Sequence, residues 1–144
     1  MAEIRRDIHL VIASEQMAVR QALAQLLADP GLCHLHCDLR GRIEIVLAEV
    51  LNNIVEHAYA EQRGDITLEV STSPEGIGCR ILDTGAAMPG LALPEGKLAP
   101  HDPQDLPEGG FGWFLIRSLT EDLHYSRQGN MNELCFRMPE TIHS

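Results

Sequence analysis

Glu49 and Asn53 are the first residues whose types and spacing could do chemistry. They belong to EVLNNIVEHAYAE, residues 49–61, in which apolar residues recur at helical spacing. Residues four apart share one face of a helix, so this carboxylate and this amide oxygen converge on one patch. No Lys or Arg occurs from 43 to 62. Oxygen ligands without neighbouring cations suit Mg²⁺ and the phosphates it carries, whereas the alternative is a solvated polar face.

Two further groups place glycine beside a carboxylate or at the start of a helix. DTG, residues 83–85, closes a predicted strand, where a carboxylate can reach a ligand laid against the sheet. EGGFG, residues 108–112, leads into the apolar run WFLIRSL. Glycines at a helix N-terminus let backbone N–H groups approach an anion, which the helix dipole favours there. A flexible hinge is the alternative for this glycine run.

Three helices and five strands must position these residues. The helices are predicted over about 15–28, with Ser14 as the N-terminal cap, over 40–60 and over 112–122. Alternating apolar residues and turn signals predict the strands 8–12, 65–72, 77–83, 123–128 and 131–138. This order predicts an α+β two-layer sandwich with a mixed, mostly antiparallel sheet and helices on one face. With 144 residues, the chain is expected to form one domain, 1–144.

The composition argues against several classes of function. A net charge of −10 and an aromatic content of 4% argue against a nucleic-acid partner. No apolar run approaches the roughly 18 residues of a membrane span, and MAEIRRD lacks the apolar segment of a signal peptide. Four scattered cysteines indicate a reducing, cytoplasmic setting. CHLHC, residues 33–37, could suggest zinc, but its ligands do not form two separated pairs, and a short, partly buried connection is expected instead.

Taken in order, ExxxN, DxG with a downstream proline and GxG opening a helix resemble the asparagine box and two glycine boxes of the GHKL ATPase superfamily. EVLNNIVEHAY, residues 49–59, is similar to the corresponding run of bacterial anti-sigma-factor serine/threonine kinases. EGGFGWFLIRSLTEDLHY, residues 108–125, is similar to their second run. The resemblance covers roughly 4–138 and implies the ATP-binding fold of that superfamily, which is also called the Bergerat fold.

The resemblance implies roles for three residues of the second helix. Glu49 would be the general base that activates the attacking hydroxyl. Asn53 would ligate the Mg²⁺ that bridges the phosphates of ATP, which gives a reason for an Asn that costs roughly half a kcal/mol in a helix interior. His57 would be a structural residue that packs at the helix end.

The glycine boxes would bind the nucleotide. Asp83 would accept a hydrogen bond from the adenine amino group, and Gly85 would let the base lie close. Gly110 and Gly112 would cradle the phosphates. The sequence departs from the family's pattern at Ala86-Ala87, which could narrow the adenine pocket, and at Trp113, which would pack under the lid.

The segment 86–108 is implied to be the ATP lid. It has no periodicity, and five of the eight prolines lie between Gly85 and Gly109. Lys97 is the only Lys or Arg between Arg80 and Arg117, so it could offset phosphate charge from above. A tolerated surface insertion, with a solvated Lys97, is the alternative.

The implied function is an ATP-dependent serine/threonine protein kinase of a partner-switching module. It would bind a sigma factor or another effector, phosphorylate an anti-anti-sigma (STAS) partner and form a homodimer. The alternative is a non-catalytic ATP-binding module that sequesters a regulatory protein. A histidine-kinase catalytic domain would need a helical hairpin with a phosphorylatable His, and a gyrase-like ATPase a second domain, for which we expect no room in 144 residues.

Overall fold

The computed structural model describes residues 6–95 and 110–140. Its α-helices are α1 (Gln16–Leu27), α2 (Cys37–Asn53) and α3 (Gly110–Leu119). Its strands are β1 (Arg6–Ala13), β2 (Asp65–Ser73), β3 (Gly76–Asp83), β4 (Glu121–Gln128) and β5 (Met131–Pro139). A π-helical turn, Ile54–Ala58, continues α2, and a 3₁₀ turn, Pro89–Leu91, follows β3.

The five strands form one sheet in the order β1-β2-β3-β5-β4. Every pairing among them is antiparallel. The predicted α+β class is therefore confirmed, although the sheet of the described residues is wholly antiparallel rather than mixed. Alternating burial explains how the sheet holds the helices: Ile66, Leu68 and Val70 of β2 are buried, whereas the residues between them are half-buried.

Helix α2 supplies the centre of the hydrophobic core. Ile43, Leu47 and Leu51 lie four residues apart and are fully buried with the inward side chains of the sheet. Burial of each such side chain contributes about 1.5–3 kcal/mol. Because this face of α2 is fixed against the sheet, Glu49 and Asn53 are held, half-buried, on a different face of the same helix.

Ser14 does not cap α1, and the predicted cap is wrong. The residue at the N-terminal boundary is Glu15, which is extended and makes no side-chain capping hydrogen bond. Ser14 Oγ instead accepts a hydrogen bond from Gly64 N (3.1 Å), and Ser14 N donates to Gly64 O (3.0 Å). The serine therefore ties the end of β1 to the start of β2, a tertiary role that replaces the local one.

The predicted single helix 40–60 is divided. Its last turn is π-helical, because Tyr59 N donates to Ile54 O (2.9 Å), five residues earlier. Single π turns inside α-helices often occur at functional sites. Here Ala58 O accepts a hydrogen bond from Ala86 N (2.8 Å), so this turn is joined to the segment after β3.

Helix α3 ends earlier than the predicted 112–122. Thr120 Oγ1 donates to Ile116 O (2.6 Å), which occupies a carbonyl of the last helical turn. Asp122 then adopts a positive φ of 56°, and the register of β4 against β5 shifts between Glu121 and His124. Strand β4 therefore begins at Glu121, two residues before the predicted start.

All four cysteines are free thiols. Within the connection 33–37, Leu35 is half-buried against the core as expected, whereas Cys33 and Cys37 are exposed, so the expected burial of the cysteines is wrong. His36 instead serves as the N-cap of α2, where its Nδ1 accepts a hydrogen bond from Asp38 N (3.2 Å). Within residues 6–95 and 110–140, no helix combines the length and apolar character that a membrane crossing requires.

Candidate functional site

A cavity of about 520 Å³ lies where α2, the π-helical turn, α3 and the ends of β3 and β5 meet. This volume is within the usual range of roughly 300–1,000 Å³ for small-molecule sites. Its polar lining includes Asn53, Asp83 and Asn132. Apolar side chains supply most of the remaining wall, among them Val50, Ile54, Met88, Leu93, Trp113 and Leu134.

Glu49, Asn53 and Gly112 are brought together beside this cavity. A Cβ atom added to Gly112 would lie 2.7 Å from Glu49 Oε2 and 3.8 Å from Asn53 Nδ2. The first turn of α3 therefore lies directly against the polar face of α2, a contact that only glycine permits without displacing the carboxylate. Asn53 Nδ2 is buried and has no hydrogen-bond partner among the described residues. A buried polar group without a partner is unfavourable, which indicates that a ligand completes this site.

Asp83 is the second polar centre of the cavity. It is only 6% exposed. Its Oδ1 accepts hydrogen bonds from Gly85 N (2.9 Å) and Asn132 Nδ2 (2.8 Å). Burial raises the pKa of the Asp83 carboxyl, against the opposing effects of these two hydrogen bonds and of the Arg127 charge. Both hydrogen bonds from the described residues end on Oδ1, so Oδ2 can accept one from a ligand.

Gly85 is required by a close approach of two backbone segments. A Cβ atom at this position would lie 2.5 Å from Ala58 O, closer than real Cβ atoms come to such an oxygen. Because the side chain is absent, the turn after Asp83 packs directly on the π-helical turn, and Ala86 N can bond Ala58 O. The glycine thus allows the turn that follows Asp83 to contact the π-helical turn that follows Asn53.

Asn132, on β5, is a site residue that the sequence analysis missed. It is 4% exposed, and it pairs across the ladder with Asp83. Its Nδ2 also donates to Ala86 O (2.9 Å), and its Oδ1 accepts from Tyr125 Oη (2.6 Å) and Arg127 Nη1 (3.0 Å). The signal was present in the sequence, since Asn132 occupies an inward position of an alternating strand that is otherwise apolar.

Tyr59 is a second residue whose role was missed. Its side chain is buried, and its hydroxyl donates to Asp65 O (2.8 Å) while accepting from Thr84 N (2.8 Å). The hydroxyl also lies 3.2 Å from Thr84 Oγ1. Tyr59 therefore holds Thr84 in place. The π-helical turn holds Ala86 through the hydrogen bond from Ala86 N to Ala58 O.

The other predicted positions are placed as follows. Gly110 is the first residue of α3, and the first turn of that helix contains no acidic residue that would repel an anion. Ala86, Ala87 and Trp113 line the cavity. His57 also lines it, with an exposed side chain, so the expectation that it packs at the helix end is wrong. Lys97 and most of the predicted lid lie outside the described residues.

Comparison with known proteins agrees with this geometry. Residues 12–138 match the histidine kinase-like ATPase domain family. The serine-protein kinases RsbW of Bacillus mycoides (strain KBAB4) and Bacillus cereus (strain G9842) are each 30% identical to this chain over 96 residues. The aligned part is 64% of this chain and 59% of each relative, so less than two thirds of the relatives' own length is matched. These relatives confirm the predicted resemblance. Because the family match spans most of this chain, the chain belongs to the histidine kinase-like ATPase domain family.

Proposed function

We propose that the chain is an ATP-dependent serine/threonine protein kinase of a partner-switching regulatory module. The observation that carries this proposal is the joint placement of Asn53 and Asp83 in one cavity, with Glu49 beside Asn53 under the first turn of α3. A cavity of this kind offers one acceptor for a base and one patch for phosphates. We place residues 1–144 in a single catalytic domain, with 86–108 as its ATP lid.

The residues that line the cavity fit ATP and Mg²⁺. Asp83 would accept a hydrogen bond from the adenine amino group through the oxygen that its neighbours leave available. The backbone N–H groups of Gly110 and Gly112 would face the phosphates at the N-terminus of α3. Asn53 is the candidate metal ligand, since rotation of its buried amide can present Oδ1 to a cation. Bound Mg²⁺ would offset the negative charge of the phosphates.

Glu49 would act on the protein substrate rather than on ATP. Its Oε2 lies at the first turn of α3, where a hydroxyl that attacks the terminal phosphate would have to approach. Accepting the proton from that Ser or Thr hydroxyl is the role of a general base, which typically contributes about 10²–10⁴-fold to a rate.

The proposal extends to the protein partners that the resemblance to anti-sigma-factor kinases implies. We propose that the chain binds a sigma factor or another effector in one state and phosphorylates a STAS-domain anti-anti-sigma protein in the other. We further propose that it works as a homodimer in the cytoplasm. The relatives support the kinase part of this proposal by their name, serine-protein kinase.

A phosphotransfer assay tests the proposal. The purified chain is incubated with radiolabelled ATP, Mg²⁺ and a STAS-domain protein encoded beside its gene, and label on the STAS protein is measured. We expect Glu49→Gln to slow transfer by about 10²–10⁴-fold with ATP binding largely kept. Glu44→Gln, an exposed substitution on the same helix, is the matched control. ATP binding without transfer to any candidate would favour the non-catalytic module instead.

A further inference from the structure

Arg127, on β4, is a cation that contacts the site from outside the cavity. Its Nη1 donates to Gly85 O (2.9 Å) and to Asn132 Oδ1 (3.0 Å). Its Nε donates to Gly129 O (3.1 Å), in the turn between β4 and β5. One half-buried guanidinium therefore joins the turn after Asp83 to the strand that faces it.

The contact with Asn132 helps to fix which way that amide points, together with Asp83 Oδ1 and Ala86 O, which accept from its other end. Tyr125 Oη and Arg127 Nη1 both approach the same end of the amide. A guanidinium is only a donor, so this end must be the oxygen and Nδ2 must face Asp83. A tyrosine hydroxyl alone would not impose this, because it can donate or accept. Without Arg127, the oxygen end of the amide keeps only the Tyr125 hydroxyl, so the amide is held less firmly in the orientation in which Nδ2 faces Asp83.

The charge of Arg127 acts in the same direction. Asp83 is buried, and its burial raises the pKa of the carboxyl, whereas the Arg127 guanidinium lowers it. The guanidinium therefore favours the ionised carboxylate, which is the stronger hydrogen-bond acceptor. Both effects of Arg127 converge on the one group that would recognise the exocyclic amino group of a purine.

We propose that Arg127 is a positioning residue that sets the preference for adenine, acting through the amide of Asn132 on the carboxylate of Asp83. This inference rests on the proposed ATP-binding function. Loss of a residue that only stabilised the fold would weaken the binding of every nucleotide to the same extent. Loss of a residue that acts through Asp83 would weaken the binding only of nucleotides that carry the 6-amino group.

The test compares ATP with purine riboside triphosphate, which lacks the 6-amino group, by calorimetry with Mg²⁺ and the full chain. For the wild type we expect ATP to bind about 10-fold more tightly or better, as for a hydrogen bond to a charged acceptor. In Arg127→Met we expect this ratio to fall by about 2- to 10-fold, the coupling expected within one hydrogen-bond network. In Arg127→Lys, which keeps the charge but not the planar fork, we expect an intermediate ratio.

Arg80→Met is the matched control, because Arg80 is exposed on β3 and pairs with Glu69 and Glu133 rather than with the site. We expect its ratio to equal that of the wild type. An unchanged ratio in Arg127→Met, with both nucleotides weakened equally, would overturn the inference. If Arg127→Met does not fold, an unchanged ratio in Arg127→Lys does the same. A wild type that binds neither nucleotide would instead refute the proposed function itself, and a wild-type ratio of one would refute the role of Asp83.

Discussion

Asn132 lies directly across the β3–β5 ladder from Asp83, and its amide donates a 2.8 Å hydrogen bond to the Asp83 carboxylate. The two residues lie 49 positions apart in the sequence, on β3 and β5. A buried acceptor and the group that orients it are thus supplied by neighbouring strands of one sheet. Removing either partner leaves the other with unsatisfied hydrogen-bonding groups.

The first prediction concerns this pair. Asn132→Ala should lower the free energy of unfolding by about 1–3 kcal/mol, because the variant leaves buried donors and acceptors unpaired. It should also weaken ATP binding, since Asp83 loses the hydrogen bond that orients it. Chemical denaturation and calorimetry measure the two effects. Asn130→Ala, an exposed change in the adjoining turn, is the control, and equal behaviour of both variants would contradict the role of Asn132.

The second prediction concerns the dependence of stability on pH. Burial raises the pKa of Asp83 above its ordinary value of 3.8, so the folded chain binds this proton more readily than the unfolded chain. The resulting contribution to stability is fully present below pH 3.8 and is lost as the pH rises through the raised pKa. Asp83→Asn does not titrate and keeps an oxygen for Gly85 N and Asn132 Nδ2. We therefore expect the variant to be more stable than the wild type at neutral pH.

The difference should shrink as the pH falls towards the ordinary pKa of a carboxyl. Denaturation curves at neutral and mildly acidic pH measure it, with Asp7→Asn as a control at an exposed position of β1. The same Asp83→Asn variant should bind ATP more weakly, which is the usual conflict between stability and function at a site. A variant less stable than the wild type at neutral pH would show that burial does not dominate at Asp83.

The third prediction concerns Gly112. In Gly112→Ala the new methyl group would lie 2.7 Å from Glu49 Oε2, so the flexible carboxylate must move while the helices remain in place. A displacement of about 1 Å in a catalytic group can slow a reaction about 10²-fold. We expect phosphotransfer to fall by that order with little change in thermal stability.

Gly41→Ala is the control for this experiment. Gly41 is also helical, but nothing lies within 4 Å of a Cβ atom added there. Replacing a helical Gly by Ala typically adds about 0.5–1 kcal/mol of stability, so this variant should gain stability and keep its activity. Full phosphotransfer in Gly112→Ala would contradict a role of Glu49 in the reaction.

The fourth prediction concerns Asn53. Its buried amide nitrogen has no partner among the described residues, so Asn53→Ala removes an unsatisfied group and should leave the fold intact. Mg²⁺-dependent ATP binding should be abolished in the variant. Calorimetry with and without Mg²⁺ measures the effect, and Asn52→Ala, the preceding asparagine of α2, serves as the control. Identical affinities for wild type and Asn53→Ala would exclude Asn53 from the metal site.

Much of the fold and part of the site could be predicted from local sequence. Glu49 and Asn53 stand out because they interrupt an apolar helical pattern, and Asp83 because it ends an alternating strand. Asn132 shows only as a polar residue at an inward position of an otherwise apolar strand, and Arg127 carries no local signal of function. Their roles depend on β5 pairing with β3 as well as with β4, which only the strand order reveals. Ser14 shows the converse, since a good local cap is used for a tertiary hydrogen bond.

The hydrogen bond from Ala86 N to Ala58 O gives the site a fixed length. Asn53 precedes the π-helical turn on one side of this bond, and Asp83 precedes the glycine turn on the other. The span between them is therefore set by two short segments that are hydrogen-bonded to each other. Such a span selects ligands by length, because a ligand whose two recognised ends are closer together or farther apart cannot contact both Asn53 and Asp83. A preset span also reduces the ordering that binding would otherwise require.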